Sequence, residues 1–446
     1  MPSGASCARR RGVSEFFKTV VALCDEGRGG EAMELAHNAL YDDPSDNAAW
    51  MAFGYTLLRG DNPAFAARIF KQLSQVDPNS PAAWNNLGKA LTDVRRHDEA
   101  DEAYARAIAL RPELTFYINR STNYIQAARV HEGLELCHWL LGQDLSEEQY
   151  GQVRTNMGFA KLALYDWSGW EDYEYSLGHI KSRDERNYVG EPRWDGSKGK
   201  RVVVYGEQGL GEQICWAQSL REARAISKNI YLDIHPKLSG LFARSFLIPT
   251  YGTLNERSMD WPFDLQIDAN CVMASLQKYF RRRPEQFTGK PYLIADPVRR
   301  HQWRATLDSL PKRPNIGIAW TGGSDRGFSQ ERSTTLYDLL PILRHDANWV
   351  SLEYKGRAKE IEKFSHDTGI VIHDYPWATQ TKDYDDTAAL VAELDLVISV
   401  PTTVFHLAGA LGVPCWVMTN PKPHFLLGIE GEKSPWYSSV TYYRCN

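Results

Sequence analysis

Between Ala32 and Pro112 the chain repeats itself at a fixed step of 34 residues. Pro44, Pro78 and Pro112 fall at that step, as do Trp50 and Trp84, Gly54 and Gly88, and Ala32, Ala66 and Ala100. Phe70 and Tyr104 fill the matching aromatic slot. A unit of this length cannot bury its apolar face alone, so neighbouring units must stack. The residue types say what the unit is. Small residues let the two helices of a hairpin approach closely, large aromatics are expected to fill the gap to the next hairpin, and proline ends the second helix. The copies around Trp50 and Trp84 are complete. The copy before Pro44 carries Phe16 in the tryptophan slot and Val20 in the glycine slot, and after Pro112 the marked slots hold Ile118, Thr122 and His138. Asn156-Met157-Gly158 suggests one more half repeat, which predicts a helical array over residues 1–176.

In its spacing and residue types this segment closely resembles the tetratricopeptide repeat. Stacked helix pairs expose a concave groove, and the functional expectation is a protein or peptide partner there. The alternative is an array that only packs against the rest of the chain or dimerises.

Composition narrows the remaining choices. The 446 residues are 43% hydrophobic and 24% charged, which is ordinary for a soluble globular chain of several domains. A net charge of −5 leaves no electrostatic footprint for nucleic acid, and the runs Arg9-Arg10-Arg11 and Arg281-Arg282-Arg283 read as solvated surface. No stretch reaches the ~20 apolar residues of a membrane helix, and the N-terminal arginines are not followed by an apolar run. Seven scattered cysteines without a CxxC pair fit reduced thiols, so a cytoplasmic location is expected.

After the array, two segments read as a buried strand entering a glycine turn and then a helix: RVVVYGEQGLGE from Arg201 and NIGIAWTGGS from Asn315. Such a turn gathers unpaired N–H groups at the positive end of a helix and can hold an anion. Two of them suggest two Rossmann-like lobes facing each other across a cleft. Further strands are expected at IYLDIHP (Ile230), FDLQIDA (Phe263), WVSLEY, GIVIHDY, LDLVISV and CWVM (Cys415). The expected fold class is therefore α plus α/β, helical repeats followed by two doubly wound parallel sheets. The expected division is a polar linker over 177–198, a first lobe over 199–300 and a second over 312–446, joined through the charged segment 296–314.

An ordered set of motifs adds a family. Trp170, Tyr173 and Glu174 come first, then Pro192 to Gly196 and Gly206 to Glu212. GIAWTGGS, Arg332-Ser333, Ser351-Leu352-Glu353, Asp386-Thr387, LDLVISVPTTVFHLAGALGVP and SPWYSS follow. From the repeats to the end the chain resembles repeat-bearing glycosyltransferases of the two-Rossmann (GT-B) architecture. These are related to the bacterial heptosyltransferases of glycosyltransferase family 9 and more distantly to O-GlcNAc transferases. The resemblance implies an inverting transfer of a sugar from a nucleotide-diphosphate donor to a hydroxyl, with the repeats presenting a protein acceptor. Two other outcomes remain: a glycan acceptor, as in the heptosyltransferases, or a non-catalytic scaffold.

An inverting transfer needs a base in the cleft opposite the leaving diphosphate. The carboxylates of the first turn are Glu212 and Glu207. In the heptosyltransferases an aspartate after the last glycine is the proposed base, and Glu212 matches it. Glu212 can instead cap its own helix or contact the acceptor. Gly209 and Gly211 of the same turn, and Thr321, Gly322, Gly323 and Ser324 of the second, are expected at donor phosphates. Arg332, with Ser333 beside it, is either a bidentate partner of the diphosphate or an ordinary surface arginine. Glu353 ends a strand where a carboxylate can bridge ribose hydroxyls, the role of a glutamate in the heptosyltransferase relatives. Thr402 and Thr403 open a helix aimed at the diphosphate, and His406 one turn on either donates to the departing charge or is structural. No DxD pair stands at a strand end, so the expected enzyme uses no metal and no cofactor beyond the nucleotide sugar.

Two departures from the family bear on activity. Its usual aspartate before the threonine is Pro401 here, which offers neither a carboxylate nor an N–H. The chain also ends at Asn446, where a long helix crossing back to the first lobe is expected to be missing. An NAD-dependent dehydrogenase fits poorly, because GEQGLGE is not GxGxxG and IYLDIHP closes with His235-Pro236 in place of an acid.

Overall fold

The computed structural model describes residues 4–60, 62–178, 183–253, 265–323, 332–420 and 424–444. It divides into two compact units, Met1–Ala160 and Lys161–Asn446.

The first unit is built of helices paired in order: Gly4–Asp25 with Gly29–Asp42, Asn47–Arg59 with Pro63–Val76, Pro81–Asp93 with His97–Leu110, and Leu114–Gln126 with Val130–Leu141. Side chains set where they start. Asp46 accepts from the Ala48 N–H at 2.8 Å, Ser80 accepts from the Ala83 N–H, and prolines 63 and 81 stand in first turns that need no donor. A Cβ on Gly54 would lie 2.9 Å from the Phe70 ring, and one on Gly88 would lie 2.7 Å from Tyr104. Each aromatic thus sits on the glycine of its own hairpin, which corrects the expectation that it fills the gap to the next.

Neighbouring hairpins are joined by polar contacts. The Trp50 and Trp84 indoles donate to the Pro44 and Pro78 carbonyls at 2.9 and 3.0 Å. One repeat apart, Asn119 donates to Asn85 Oδ1 at 2.9 Å and Asn156 to Thr122 Oγ1 at 2.9 Å. The helices continue after the sequence pattern decays because the small partner moves to the second helix, where Gly133 packs on Ile125.

The second unit holds two parallel sheets. In the first lobe they are β1 (Arg201–Tyr205), β2 (Asn229–Asp233), β3 (Thr250–Tyr251) and β4 (Ala269–Val272), in the order β3-β2-β1-β4. In the second lobe they are β5 (Asn315–Ala319), β6 (Asn348–Ser351), β7 (Ile372–His373), β8 (Leu396–Ser399), β9 (Cys415–Thr419) and β10 (Val440–Arg444). Their order is β10-β9-β8-β5-β6-β7, again all parallel. Val202, Val203 and Val204 are fully buried, as a strand covered on both faces requires. The architecture is a helical repeat array followed by two Rossmann-like α/β lobes. In both sheets the strand order reverses beside the first strand, so the crevices open at the C-terminal ends of β1/β4 and β5/β8.

Three expectations need correction. The strand expected from Phe263 starts later, at Ala269 (residues 263 and 264 lie outside the described residues), because Asp268 is held by the Arg201 backbone N–H at 2.9 Å and by its guanidinium. Residues 161–176, read as the end of the array, belong to the second unit, where Trp170 and Tyr173 are buried. The described part of the 177–198 linker is built into the first lobe. There Arg186 and Tyr188 bind the buried Asp233 at 2.8 Å each, Glu191 accepts from Asn270 at 2.8 Å, and Arg193 pairs with Asn270 as a parallel bridge. Its polar residues read as a linker only because their partners are remote in sequence. The connection over 296–314 carries a helix, Pro297–Asp308, capped by Asp296.

Candidate active site

The strand ends of the two lobes enclose a cavity of about 400 Å³. From the first lobe it is lined by Gly209, Gly211, Glu212 and Lys237, and from the second by Thr321, Gly323, Arg332, Glu353, Pro401, Thr402, Thr403 and His406, among others.

In the first lobe, β1 delivers the chain to Gly206, and the helix Leu210–Trp216 follows at once. Gln208 takes a left-handed backbone, φ +58°, and its amide donates to the Tyr173 hydroxyl at 2.7 Å. The two carboxylates of this turn part ways. Glu207 is 4% exposed, does not line the cavity, and accepts from Arg183 Nε at 2.7 Å. Arg183 is itself fully buried; it donates to the Tyr173 carbonyl at 2.7 Å and Ser176 Oγ at 2.6 Å, and lies 4.1 Å over the Tyr173 ring. Glu207 therefore anchors the turn from behind, and its place as a candidate base is withdrawn. Glu212 lines the cavity. Its carboxylate folds back over Gly209, toward the N–H groups of Gly209 and its own residue, as a third-position glutamate does at a helix start. Burial raises its pKa, and those N–H groups and the Arg332 charge pull it partly back.

In the second lobe the glycine turn differs from the expectation. The N–H groups of Trp320 and Thr321 donate to Glu353 Oε1 at 2.7 and 2.8 Å, the Thr321 hydroxyl binds Glu353 Oε2, and the Gly322 N–H donates to Ser333 Oγ at 2.9 Å. The Thr321 and Gly322 N–H groups, expected at phosphate, are thus taken by protein. No helix opens after β5 among the described residues before Leu340, and Ser324 lies outside the described residues. Glu353, expected at a ribose, holds the turn instead. Burial raises its pKa, and the bonds from Thr321 and Trp320 oppose that. Ser333 and Thr334 brace the same turn, the latter through its N–H to the Trp320 carbonyl at 2.9 Å.

The helix Thr403–Leu411 brings its N-terminus to the cavity. Thr402 caps it, accepting from the Val404 N–H at 3.3 Å. His406 is buried, and that burial, together with His424, lowers its pKa to about 3, so the imidazole is neutral. Its Nδ1 lies 3.0 Å from the Tyr437 hydroxyl. The Tyr437 hydroxyl also meets the Tyr292 hydroxyl at 3.5 Å and the Cys215 thiol; where it donates to Nδ1, the imidazole carries its proton on Nε2. The two lobes touch here. A Cβ on Gly211 would stand 2.9 Å from His406 Cδ2 and 3.3 Å from the Thr403 Cα, so only glycine permits this approach.

Glu212, Gly209, Gly211, Thr321, Gly323, Arg332, Glu353, Thr402, Thr403 and His406 are thereby gathered around one cavity, with Gly322 and Ser333 behind it and Glu207 facing inward. Lys237, Thr379, Tyr384 and His424 also line it and were not expected. Lys237 had a signal, since it follows the C-terminal end of β2, where such folds place ligands. Among the described residues no three His, Cys, Asp or Glu side chains cluster as metal ligands, and no helix is long and apolar enough to cross a membrane.

No protein-family model matches this chain. It is 26% identical over 398 residues to Protein FlbA of Caulobacter vibrioides, covering 84% of this chain and 66% of that protein. The chain thus spans just under two thirds of that relative's length. Among solved structures it is similar to the glycosyl transferase family 9 protein from Veillonella parvula. The identity there is 13%, covering 55% of this chain and 86% of that one, with a TM-score of 0.39. It is also similar to a thermophilic TPR protein of Thermus thermophilus, at 16% identity, covering 38% and 91%, with a TM-score of 0.33. At such distances neither likeness decides what the cavity does; its side chains must.

Proposed function

We propose that this protein is an inverting glycosyltransferase that moves a sugar from a nucleotide-diphosphate donor to a hydroxyl acceptor, without a metal ion. The observation that carries the reading is the cavity itself, where Glu212 of one lobe shares the space with Arg332 and the N-terminus of helix Thr403–Leu411 of the other. Glu212 takes the acceptor proton, and its raised pKa favours that transfer near neutral pH. Arg332 and the helix N-terminus stabilise the departing diphosphate, and neutral His406 donates from Nε2 without adding charge.

The acceptor in this reading is a protein segment bound by the repeats. A groove of about 620 Å³ on the array supports it, floored by Ala67, Leu87, Leu91 and Ala103 and edged by Arg68 and Lys71. Cys24, Cys137, Cys215, Cys271 and Cys415 are buried and outside any disulfide, which fits a reducing, cytoplasmic setting.

One observation favours a non-catalytic scaffold: the N–H groups of residues 320–322 are already bonded and Pro401 adds none. Thermal shift against UDP, GDP, ADP, TDP and CDP separates the two. A nucleotide at 100 times its Kd stabilises by about 2.7 kcal/mol, a rise of roughly 2–4 °C in domains of this size. A shift with one nucleotide, followed by release of that nucleotide from its sugar conjugate, supports the transferase. No shift with any of the five supports the scaffold.

A further inference from the structure

The cavity's charges are unevenly matched to a diphosphate. Its acids are Glu212 and Glu353, its histidines include the neutral His406, and its Lys and Arg side chains among the described residues are Arg332 and Lys237. With the turn N–H groups of residues 320–322 bonded to Glu353 and Ser333, the second lobe offers little beyond Arg332 and one helix end. Lys237 belongs to the opposite lobe. Its backbone is fixed against the second lobe, because the Lys237 carbonyl accepts from the Tyr384 N–H at 2.9 Å. Nearby, Arg244 pairs with Asp385, and Gly240 lies against the same carboxylate. No carboxylate pairs with the Lys237 ammonium among the described residues, although the chain is rich in ion pairs elsewhere.

We propose that Lys237 supplies a second positive charge to the ligand's phosphates from the first lobe, so that a diphosphate is held by cations of both lobes. This rests on the nucleotide-sugar reading above. An ammonium on a flexible stem acts as a point charge and needs no bidentate geometry, which suits a contact made across a cleft. It follows that Lys237 shares the phosphates with Arg332 and does not touch the nucleoside.

Calorimetric titration of wild type, Lys237→Met and Lys237→Arg tests this. The probes are UDP, GDP, ADP, TDP and CDP and, for whichever binds, the matching monophosphate and nucleoside. Lys237→Met should weaken the diphosphate about tenfold or more and leave the nucleoside within about twofold. Lys237→Arg should retain most of the affinity, and the salt dependence of diphosphate binding should flatten in Lys237→Met. Unchanged diphosphate affinity in Lys237→Met overturns the inference, as does an equal loss for diphosphate and nucleoside, which marks a structural role. A wild type that binds none of the five refutes the transferase reading, and this inference with it, before any variant is made.

Discussion

Gly211 of the first lobe and His406 of the second meet so closely that a single added carbon on Gly211 would stand 2.9 Å from the imidazole and 3.3 Å from the Thr403 backbone. Because the second of these neighbours is main chain, rotating a side chain cannot relieve the clash. Gly211→Ala should therefore lose about 1–3 kcal/mol of stability, the usual range for overpacking. Denaturant unfolding followed by tryptophan fluorescence reads this directly. A variant as stable as wild type would mean that the lobes separate freely at this point.

Glu212 and Glu207 should behave oppositely when neutralised. Glu212→Gln should lower the transfer rate by about 10²–10⁴-fold, the usual worth of a general base, with nucleotide affinity nearly unchanged. The pH profile follows from the sign of its shift. Burial holds the Glu212 carboxyl above its ordinary 4.5, so the rate should rise with pH through an apparent pKa above that value. A rate that survives Glu212→Gln would remove this residue from the chemistry.

The pair behind the turn makes a stability prediction. Arg183→Met leaves the Glu207 carboxylate buried without its cation, and breaking such a pair costs about 3–5 kcal/mol. The double variant Arg183→Met, Glu207→Gln should recover part of that loss, because no buried charge is left behind. A double-mutant cycle on the denaturant midpoint checks the coupling, and simple additivity would refute it.

His406 gives a pH dependence of stability. Its pKa is about 3 when folded against an ordinary 6.5, so between those values the unfolded chain binds more protons. Stability from this group is complete above about pH 6.5 and falls as the pH drops toward 3. His406→Asn should flatten that slope in melts recorded across the window. An unchanged slope would show that the imidazole protonates freely in the fold.

The repeat array was legible because its pattern is local: glycine, aromatic and proline recur at one step and meet within one hairpin. Strands β1, β2, β5, β6, β7, β8 and β9 could be read from β-branched runs, whereas β10 lies beyond the motifs and β4 starts where Asp268 is captured by Arg201. Residues 183–198 looked like a tether because each polar group there finds its partner far away, as Tyr188 does in Asp233. The same reason hid the difference between Glu207 and Glu212. Two carboxylates five positions apart look equivalent until Arg183 claims one of them. The bonds of Glu353 to the 320–321 backbone were equally out of reach, since the sequence shows a strand end and not what it touches.

Trp167, Trp170, Trp216, Phe287 and Trp436 pack ring against ring, with Trp436 arriving from the segment before β10 and Trp216 from the helix after β1. Beside this cluster the Ser438 N–H donates to the Gly289 carbonyl at 3.0 Å. Elsewhere the lobes meet through the Tyr292 and Leu293 N–H groups on the Ala410 carbonyl, the approach of Gly211 to His406, the Arg244–Asp385 ion pair and the Tyr384–Lys237 hydrogen bond. Parting the aromatic cluster would strip a large apolar surface, whereas parting Lys237 and Arg244 from the second lobe would cost one hydrogen bond and one ion pair. Between these two lobes indoles form the spine, and Lys237 stands at a polar seam away from it.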